Sequence, residues 1–214
     1  MNEKVNEKFV ILYDTAKKCL LIVDHLFSAL ERSTLQAEDS VKATENTSVV
    51  PEIYISALGL IDFFHRFNEI ISTMPMINKK QPELKSLSKA LKPVKDCRNY
   101  LQHMRGDLMK NESISYPILG AISWTHEGRN YILSSSQPTK NFSMPCIVYD
   151  TFENKYICKY QLVIGGHEIP LDTVYKEIKL FWAWFEQSVE ITPSHLKDYT
   201  WGKPRILYSE FKRP

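Results

Sequence analysis

The chain has 214 residues, of which 43% are hydrophobic and 24% charged, the balance of an ordinary globular protein. Its formal net charge is +2, so overall charge gives no argument for nucleic-acid binding, and an RNA site would need a local basic cluster. The N-terminus carries charges throughout, and no stretch approaches the roughly 18 uninterrupted apolar residues of a membrane-spanning helix. The sequence therefore predicts a cytoplasmic protein with no signal peptide and no membrane partner.

Four cysteines are scattered along the chain without a C-x-x-C pair: Cys19, Cys97, Cys146 and Cys158. Zinc sites in proteins normally use closely spaced cysteine and histidine ligands. The scattered pattern therefore favours free, buried thiols in a reducing compartment. The sequence also lacks a P-loop, a G-x-G-x-x-G turn and an H-E-x-x-H helix, so we expect neither a metal nor a cofactor.

Helical periodicity dominates the first half of the chain. A first helix is predicted over residues 9–30, and the polar stretch 31–48 is predicted to be a loop. Pro51 can open a second helix in its first turn, because proline there loses no hydrogen bond that the helix would otherwise make. A third helix is predicted to begin near Pro82, and Pro93 is expected to kink or restart it.

β-Branched and aromatic residues are concentrated in the next part of the chain and predict strands. Residues 116–136 are predicted to form two strands around a turn at Glu127–Gly128. Residues 143–166 are predicted to form two more around a turn at Glu153–Asn154. Gly165–Gly166 is expected to end this meander.

A last helix is predicted to begin after a cap at Asp172 or Thr173. Its apolar stripe contains Val174, Ile178, Phe181, Phe185 and Val189, with Trp182 and Trp184 beside it. Residues 191–214 are less regular and are expected to pack through their aromatic side chains. The predicted fold class is mainly α (α+β): a helical bundle with a small antiparallel β-meander inserted before the last long helix.

The predicted third helix has one apolar side and one polar side. Its apolar stripe is formed by Val94, Cys97, Leu101, Met104 and Leu108. On a helical wheel of about 100° per residue, Asn99 and His103 lie on the side away from this stripe, and Gly106 continues their ridge. The flank beside them carries Arg98, Gln102 and Arg105.

Two interpretations of this polar side stay open. The outer face of an amphipathic helix is normally polar, so these residues can be the solvated side of an ordinary helix. Gly106 favours a second interpretation, because glycine weakens a helix by about 1 kcal/mol relative to alanine yet lets another backbone approach. Tyr100 lies between the two faces, where a partner helix can cover it. A second copy packing here would bury Gly106 and Tyr100 and bring two copies of Arg98 and His103 together.

The stretch "RNYLQH", residues 98–103, resembles the signature of the HEPN superfamily. That signature is an arginine, a polar residue directly after it, and a histidine four to six residues later on one helix. Arg98, Asn99 and His103 match these three places. The position of the stretch on the third helix of a predicted bundle agrees with the resemblance.

The resemblance implies an organisation for the chain. HEPN domains are bundles of about four or five helices, so residues 1–112 and 170–190 would form a HEPN-like helical bundle. Residues 113–169 would form an inserted antiparallel β-sheet, for which the resemblance does not account, and residues 191–214 a C-terminal tail. Active members of the superfamily are usually homodimers, with a composite site where the two motif helices meet.

The resemblance also implies a chemistry, because active members are metal-independent endoribonucleases. His103 would act as general base or acid on the ribose 2′-hydroxyl, Arg98 would stabilise charge on the scissile phosphate, and Asn99 would orient one of them. The residue types suit these roles, since imidazole titrates near neutrality and guanidinium binds phosphate through a planar fork. The predicted substrate-binding residues beside them are Gln102 and Arg105.

Two functions are consistent with this pattern. The first is a homodimeric endoribonuclease of a defence or toxin–antitoxin type, with RNA as substrate and an antitoxin as partner. The second is a non-catalytic HEPN-type protein that binds a nucleotide or a partner, with the motif stabilising the dimer. The inserted sheet could occlude the site, bind RNA or form a contact surface. Its "KYICKY" stretch, residues 155–160, suits RNA weakly and an edge strand protected by lysines better.

The remaining histidines give weaker signals. His65 neighbours Asp62 and Glu69 at helical spacing, which predicts an ion pair or hydrogen bond rather than metal ligation. The histidines predicted to lie in turns or loops are His126, His167 and His195.

Overall fold

The computed structural model describes residues 7–43, 49–75, 77–110, 117–134, 149–150 and 154–188. The helices of this part of the chain are α1 (Glu7–Ala43), α2 (Val50–Thr73), α3 (Pro82–Lys110) and α4 (Leu171–Ser188). The strands of the described residues all lie between α3 and α4. A mainly helical fold with a small antiparallel sheet before the last helix is therefore confirmed. Val189 and residues 191–214, with the tail predicted there, lie outside the described residues, as does Cys146.

The polar stretch after residue 30 is helical, so the predicted loop over residues 31–48 is wrong as far as Ala43. Polar side chains here are buried instead of solvated, with Thr34 only 1% exposed and Glu38 5% exposed. The Thr34 hydroxyl donates to the carbonyl of Leu30 inside the helix. The stretch lacks an apolar stripe because it packs polar groups against the sheet, and hydrophobic periodicity cannot reveal such packing.

Prolines mark the starts of the next two helices. Pro51 lies in the first turn of α2, and α3 begins at Pro82, so both predicted starts are confirmed. Pro93 lies inside α3, which continues as one helix from Pro82 to Lys110 and does not restart. The motif residues 98–103 therefore lie on the C-terminal half of a 29-residue helix.

The main sheet has four antiparallel strands in the order β2-β1-β5-β6. Within the described ranges the strands are β1 (Ala121–His126), β2 (Arg129–Ser134), β3 (Tyr149–Asp150), β4 (Lys155–Tyr156), β5 (Tyr160–Ile164) and β6 (His167–Pro170). The hairpin predicted around Glu127–Gly128 is confirmed as β1–β2, with His126 opposite Arg129. The two strands beside each other at the centre, β1 and β5, come from different hairpins.

The second predicted hairpin differs from the observed one. The strands nearest Glu153–Asn154 are two-residue β3 and β4, which pair separately from the main sheet. Gly165–Gly166 does not end the meander; it is the turn between β5 and β6. Both glycines have positive φ, at 56° and 79°, which suits a two-residue turn that matches the twist of its strands. The prediction was wrong because Gly-Gly marks a turn as readily as an end.

The start of α4 also differs from the prediction. The helix begins at Leu171, and Asp172 lies in its first turn rather than capping it. The Asp172 carboxylate accepts hydrogen bonds from the backbone N–H groups of Lys159 and Tyr160, both at 3.0 Å. This carboxylate therefore ties the start of α4 to the start of β5.

Helices and sheet share one hydrophobic core. The apolar stripes of all four helices meet in it, and the strands contribute Ile122, Trp124, Tyr160, Leu162, Ile164 and Ile169. In α4 the predicted stripe is confirmed over its described part, with Ile178 and Phe181 buried and Trp182 beside them. The sheet thus packs directly on the bundle that carries the motif helix.

Candidate functional site

The outer face of α3 carries the motif. The predicted apolar stripe faces the protein, since Val94 and Cys97 are fully buried. Asn99 and His103 on the other side are exposed, whereas Arg98 is partly buried. The neighbouring positions predicted to bind substrate, Gln102 and Arg105, are exposed as well. The helix therefore presents an imidazole and several polar groups to the outside.

Arg98 is held by a neighbouring helix. Its Nε–H donates to Oδ1 of Asp62 on α2, at 3.2 Å. The Arg98 side chain is 24% exposed and that of Asp62 37% exposed, so the pair lies at the rim between α2 and α3. This contact fixes the guanidinium on the α2 side of the motif helix.

Arg98 and His103 do not converge within one chain. They are five residues apart, and at about 100° per residue their side chains leave the helix in directions about 140° apart. The salt bridge to Asp62 turns Arg98 further toward α2. A reacting phosphate could contact both groups only if one of them came from a second molecule or if the side chains moved.

Asp62 and His65 show how the charges at this rim are balanced. Burial alone would raise the pKa of the Asp62 carboxyl, but hydrogen bonds and charges from Arg66 and Arg98 outweigh burial, so the pKa lies below its usual value. Burial and the charge of Arg98 lower the pKa of His65, which therefore favours the neutral imidazole. The His65 side chain lies beside its predicted helical neighbour, with Nε2 3.9 Å from Oε1 of Glu69, a contact that is an ion pair only when the imidazole is protonated.

The two residues predicted at a dimer interface have different surroundings. Tyr100 packs on the β5–β6 turn of its own chain, where a Cβ added at Gly165 would lie 2.6 Å from the Tyr100 ring. The ring centroid of Tyr100 is 6.1 Å from that of His167. A Cβ added at Gly106 would meet nothing within 4 Å, so the described chain leaves space there. The close approach of a second backbone stays a prediction.

A second polar cluster joins the end of α1 to the sheet. The Glu38 carboxylate accepts a hydrogen bond from the indole N–H of Trp124 at 2.8 Å, and its other oxygen lies 2.6 Å from Nδ1 of His126. The Glu38 side chain is 6% exposed and that of His126 38% exposed. A buried carboxylate thus orients an imidazole that is itself partly exposed, the arrangement of an oriented base.

Sequence reasoning missed this cluster. His126 was predicted to lie in a turn, but it is the last residue of β1, and His167 is the first residue of β6 rather than part of a loop. Glu38 and His126 are 88 positions apart, so no local spacing joins them. The available signal was alternation in β1, which places Ile122, Trp124 and His126 on one face.

The cysteines of the described chain are buried. Cys19 and Cys97 carry free thiols. Burial raises the pKa of Cys19, and burial raises the pKa of Cys97 to about 12, so both stay protonated near neutral pH. Among the residues placed by the structure, no three histidine, cysteine, aspartate or glutamate side chains are grouped closely enough to hold a metal ion.

Comparison with protein-family models, with curated protein sequences and with solved structures finds no match to this chain. No helix in the described part of the chain has the length and apolar character needed to cross a bilayer. The resemblance to HEPN domains therefore depends on Arg98, Asn99 and His103 and on their place in the bundle.

Proposed function

We propose that this chain is a HEPN-like homodimeric endoribonuclease that cleaves RNA without a metal, in a defence or toxin–antitoxin setting. The observation that carries the proposal is the outer face of α3, where His103 is exposed and Arg98 is fixed by Asp62. In this proposal two such faces meet, and the Arg98 of one chain lies near the His103 of the other. That arrangement would overcome the divergence of about 140° between the two side chains within one helix.

The proposed reaction uses the nucleophile that RNA already carries. One His103 imidazole removes the proton of a ribose 2′-hydroxyl, whose oxygen then attacks the adjacent phosphorus. The bond to the 5′-oxygen breaks, and the second His103, in its protonated form, gives that oxygen a proton. Arg98 stabilises the negative charge that grows on the phosphate oxygens, while Asn99 orients the imidazole or the phosphate. The products are a 2′,3′-cyclic phosphate and a free 5′-hydroxyl.

The alternative is a non-catalytic HEPN-type protein that binds a nucleotide or a partner. The salt bridge between Arg98 and Asp62 favours this alternative, because it gives Arg98 a structural role between α2 and α3. Gln102 and Arg105, both exposed, would then contact the ligand without taking part in chemistry. Both functions use the same dimer, and cleavage of RNA is expected only of the first.

The test is cleavage of mixed RNA in excess EDTA by wild type, His103→Ala and His25→Ala. His25 is the matched control, since it is another exposed helical histidine, placed on α1. We expect wild type and His25→Ala to cleave equally and His103→Ala to lose at least about 100-fold, the usual contribution of a general acid or base. Equal cleavage by all three would point to a contaminant or to another site and would refute the role of His103. No cleavage by a confirmed dimer would leave the binding alternative.

A further inference from the structure

One carboxylate on α2 binds two arginines from two helices. Oδ2 of Asp62 accepts a hydrogen bond from Nε of Arg66, one turn along the same helix, at 2.6 Å. Oδ1 of Asp62 accepts a hydrogen bond from Nε of Arg98 on α3, at 3.2 Å. Each arginine thus uses its Nε edge for the carboxylate. Within the described ranges, neither guanidinium makes a further hydrogen bond through its terminal Nη atoms.

The charges at this place do not cancel. Two guanidinium groups face one carboxylate, and His65 beside them favours its neutral form, because burial and the charge of Arg98 lower its pKa. Glu69, whose Oε1 lies 3.9 Å from Nε2 of His65, adds a second carboxylate, and Lys95, whose charge also lowers the pKa of His65, adds a third cation. Arg66 is more exposed than Arg98, at 55%, and lies beside the ring of Phe63. The rim therefore has an excess of positive charge that a ligand can reach.

We propose that Arg66 and Arg98, spaced by Asp62, form a phosphate-binding pair that holds the backbone of an RNA strand across α2 and α3. Asp62 is a positioning residue in this arrangement: it contacts the two arginines and not the RNA. The inference deepens the function proposed above, on which it rests for the identity of the ligand. It adds Arg66, a residue of α2 outside the motif, to the surface that contacts the substrate.

The geometry of the two arginines suits a phosphate group. A guanidinium is planar, and when its Nε edge is occupied by a carboxylate, its two Nη groups still form a parallel pair of donors. Two such forks fixed by one aspartate can bind two oxygens of one phosphate or two successive phosphates. Because phosphate contacts carry no base information, this pair would bind RNA strands of different sequence with similar affinity.

The test is binding of a fluorescein-labelled single-stranded RNA oligonucleotide, measured by anisotropy in EDTA. All proteins carry His103→Ala, so that no strand is cut during the measurement. The additional changes are Arg66→Ala, Asp62→Ala and, as matched control, Arg32→Ala. Arg32 is an exposed arginine of α1. The residue of α1 that lies near Arg66 is Cys19, and Arg32 is 13 residues further along that helix, which is about 20 Å.

Arg66→Ala is expected to weaken RNA binding about 10-fold and to reduce the salt dependence by about 0.7, the slope for one lost single-strand phosphate contact. Arg32→Ala should change affinity by less than about 2-fold, the effect expected of an exposed charge away from the contact. Arg66→Ala indistinguishable from Arg32→Ala would overturn the proposal. Thermal melting of each variant checks that all are folded, which the exposure of Asp62 and Arg66 favours.

The Asp62→Ala variant distinguishes a positioning role of Asp62 from an effect of net charge alone. The change removes a negative charge, so long-range attraction alone would make RNA bind more tightly. If Asp62 positions the arginines, affinity falls about 5-fold although the protein becomes more positive, since both forks lose their fixed geometry. Tighter or unchanged binding by Asp62→Ala would contradict the positioning role.

The cleavage experiment and the binding experiment together also distinguish this inference from the proposed nuclease activity. Wild type that does not cut RNA, together with the expected loss in Arg66→Ala, would refute the nuclease and keep the phosphate pair. Wild type that cuts RNA, together with normal binding by Arg66→Ala, would refute the pair and keep the nuclease. Competition by a mononucleotide as effective as competition by unlabelled RNA would show that the pair binds a free nucleotide and would overturn the backbone role.

Discussion

At the scale of single residues, Glu38 explains why the second half of α1 is polar. Its carboxylate is buried and binds the indole N–H of Trp124 and the imidazole of His126. A buried carboxylate of this kind must have hydrogen-bond partners, because a buried polar group without them costs free energy of folding. One carboxylate of α1 therefore contacts two side chains on the same face of β1 and fixes the position of the helix on the sheet.

Glu38→Ala is expected to destabilise the protein by about 2–3 kcal/mol, because it leaves the Trp124 N–H buried without an acceptor. Glu31→Ala is the matched control, since Glu31 pairs with Lys159 at 3.1 Å and its side chain is 41% exposed. The control should cost less than about 1 kcal/mol, as for other surface ion pairs. Urea unfolding followed by tryptophan fluorescence measures both. Equal losses would show that the buried carboxylate has no special role in stability.

At the scale of elements, two phenol–carboxylate hydrogen bonds join α1 to α4. The Tyr175 hydroxyl donates to Asp24 at 2.8 Å, and the Tyr13 hydroxyl donates to Glu186 at 3.1 Å. The Tyr175 ring also stacks on Phe27, with centroids 4.2 Å apart. Because α1 is long, these contacts lie about three turns apart and align the two helices along their length.

The α1–α4 contact predicts a loss of stability at alkaline pH. Burial, then the hydrogen bond to Asp24, raises the pKa of Tyr175 from 10.0 to about 12. A raised folded-state pKa stabilises the protein fully below the unfolded pKa, and this stabilisation disappears as pH rises through the folded pKa. Tyr175→Phe should therefore lower the melting temperature at pH 7–9, and its difference from wild type should shrink between about pH 10 and 12.

Tyr131→Phe is the control for this pH series. Tyr131 stacks on Trp124, and its hydroxyl makes no hydrogen bond to the part of the chain that the structure describes. Its removal should leave the melting temperature unchanged at neutral pH. A Tyr175→Phe protein that melts with wild type at pH 8 would contradict the prediction.

Local sequence patterns predicted those secondary-structure elements that depend on interactions between neighbouring residues. Apolar periodicity identified α1, α2, α3 and α4, the helices of the described residues, and prolines identified the starts of α2 and α3. The stretch that ends at Ala43 was missed because its buried side chains are polar and find their partners in the sheet. The pairing of β1 with β5 also depends on contacts between distant parts of the chain, which periodicity cannot supply.

The candidate site likewise has features that the sequence predicted and features that it did not. The sequence placed Asn99 and His103 on the outer face of α3, because the apolar stripe leaves no other side for them. It did not provide the partner of Arg98, since Asp62 is 36 positions away on another helix. It likewise gave no sign that Tyr100 packs on the β5–β6 turn, because that turn was placed at the end of the meander.

At the scale of the whole molecule, one chain presents half of the proposed site. Arg98 is held on the α2 side of α3, whereas His103 points to the outside. Tyr100 packs on the β5–β6 turn of its own chain, whereas Asn99, His103 and Gly106 form an exposed ridge that a second copy can reach. A dimer about a two-fold axis would set this ridge against its own copy, which is the usual form of a homodimer.

This geometry predicts that the protein is a homodimer and that Gly106→Trp makes it a monomer. A Cβ at Gly106 would meet no atom of the described residues within 4 Å, and tryptophan favours helix more than glycine does, so the monomer should be at least as stable. A second backbone close to Gly106 would instead be pushed away. Light scattering after size exclusion measures the mass, with Arg32→Trp on exposed α1 as the control that should stay dimeric.

RNA cleavage should disappear with the dimer, because each monomer would keep Arg98 and His103 about 140° apart. A Gly106→Trp protein that stays dimeric would show that no second backbone lies close to Gly106, whereas a monomeric wild type would remove the composite site and leave "RNYLQH" as the solvated side of an ordinary helix.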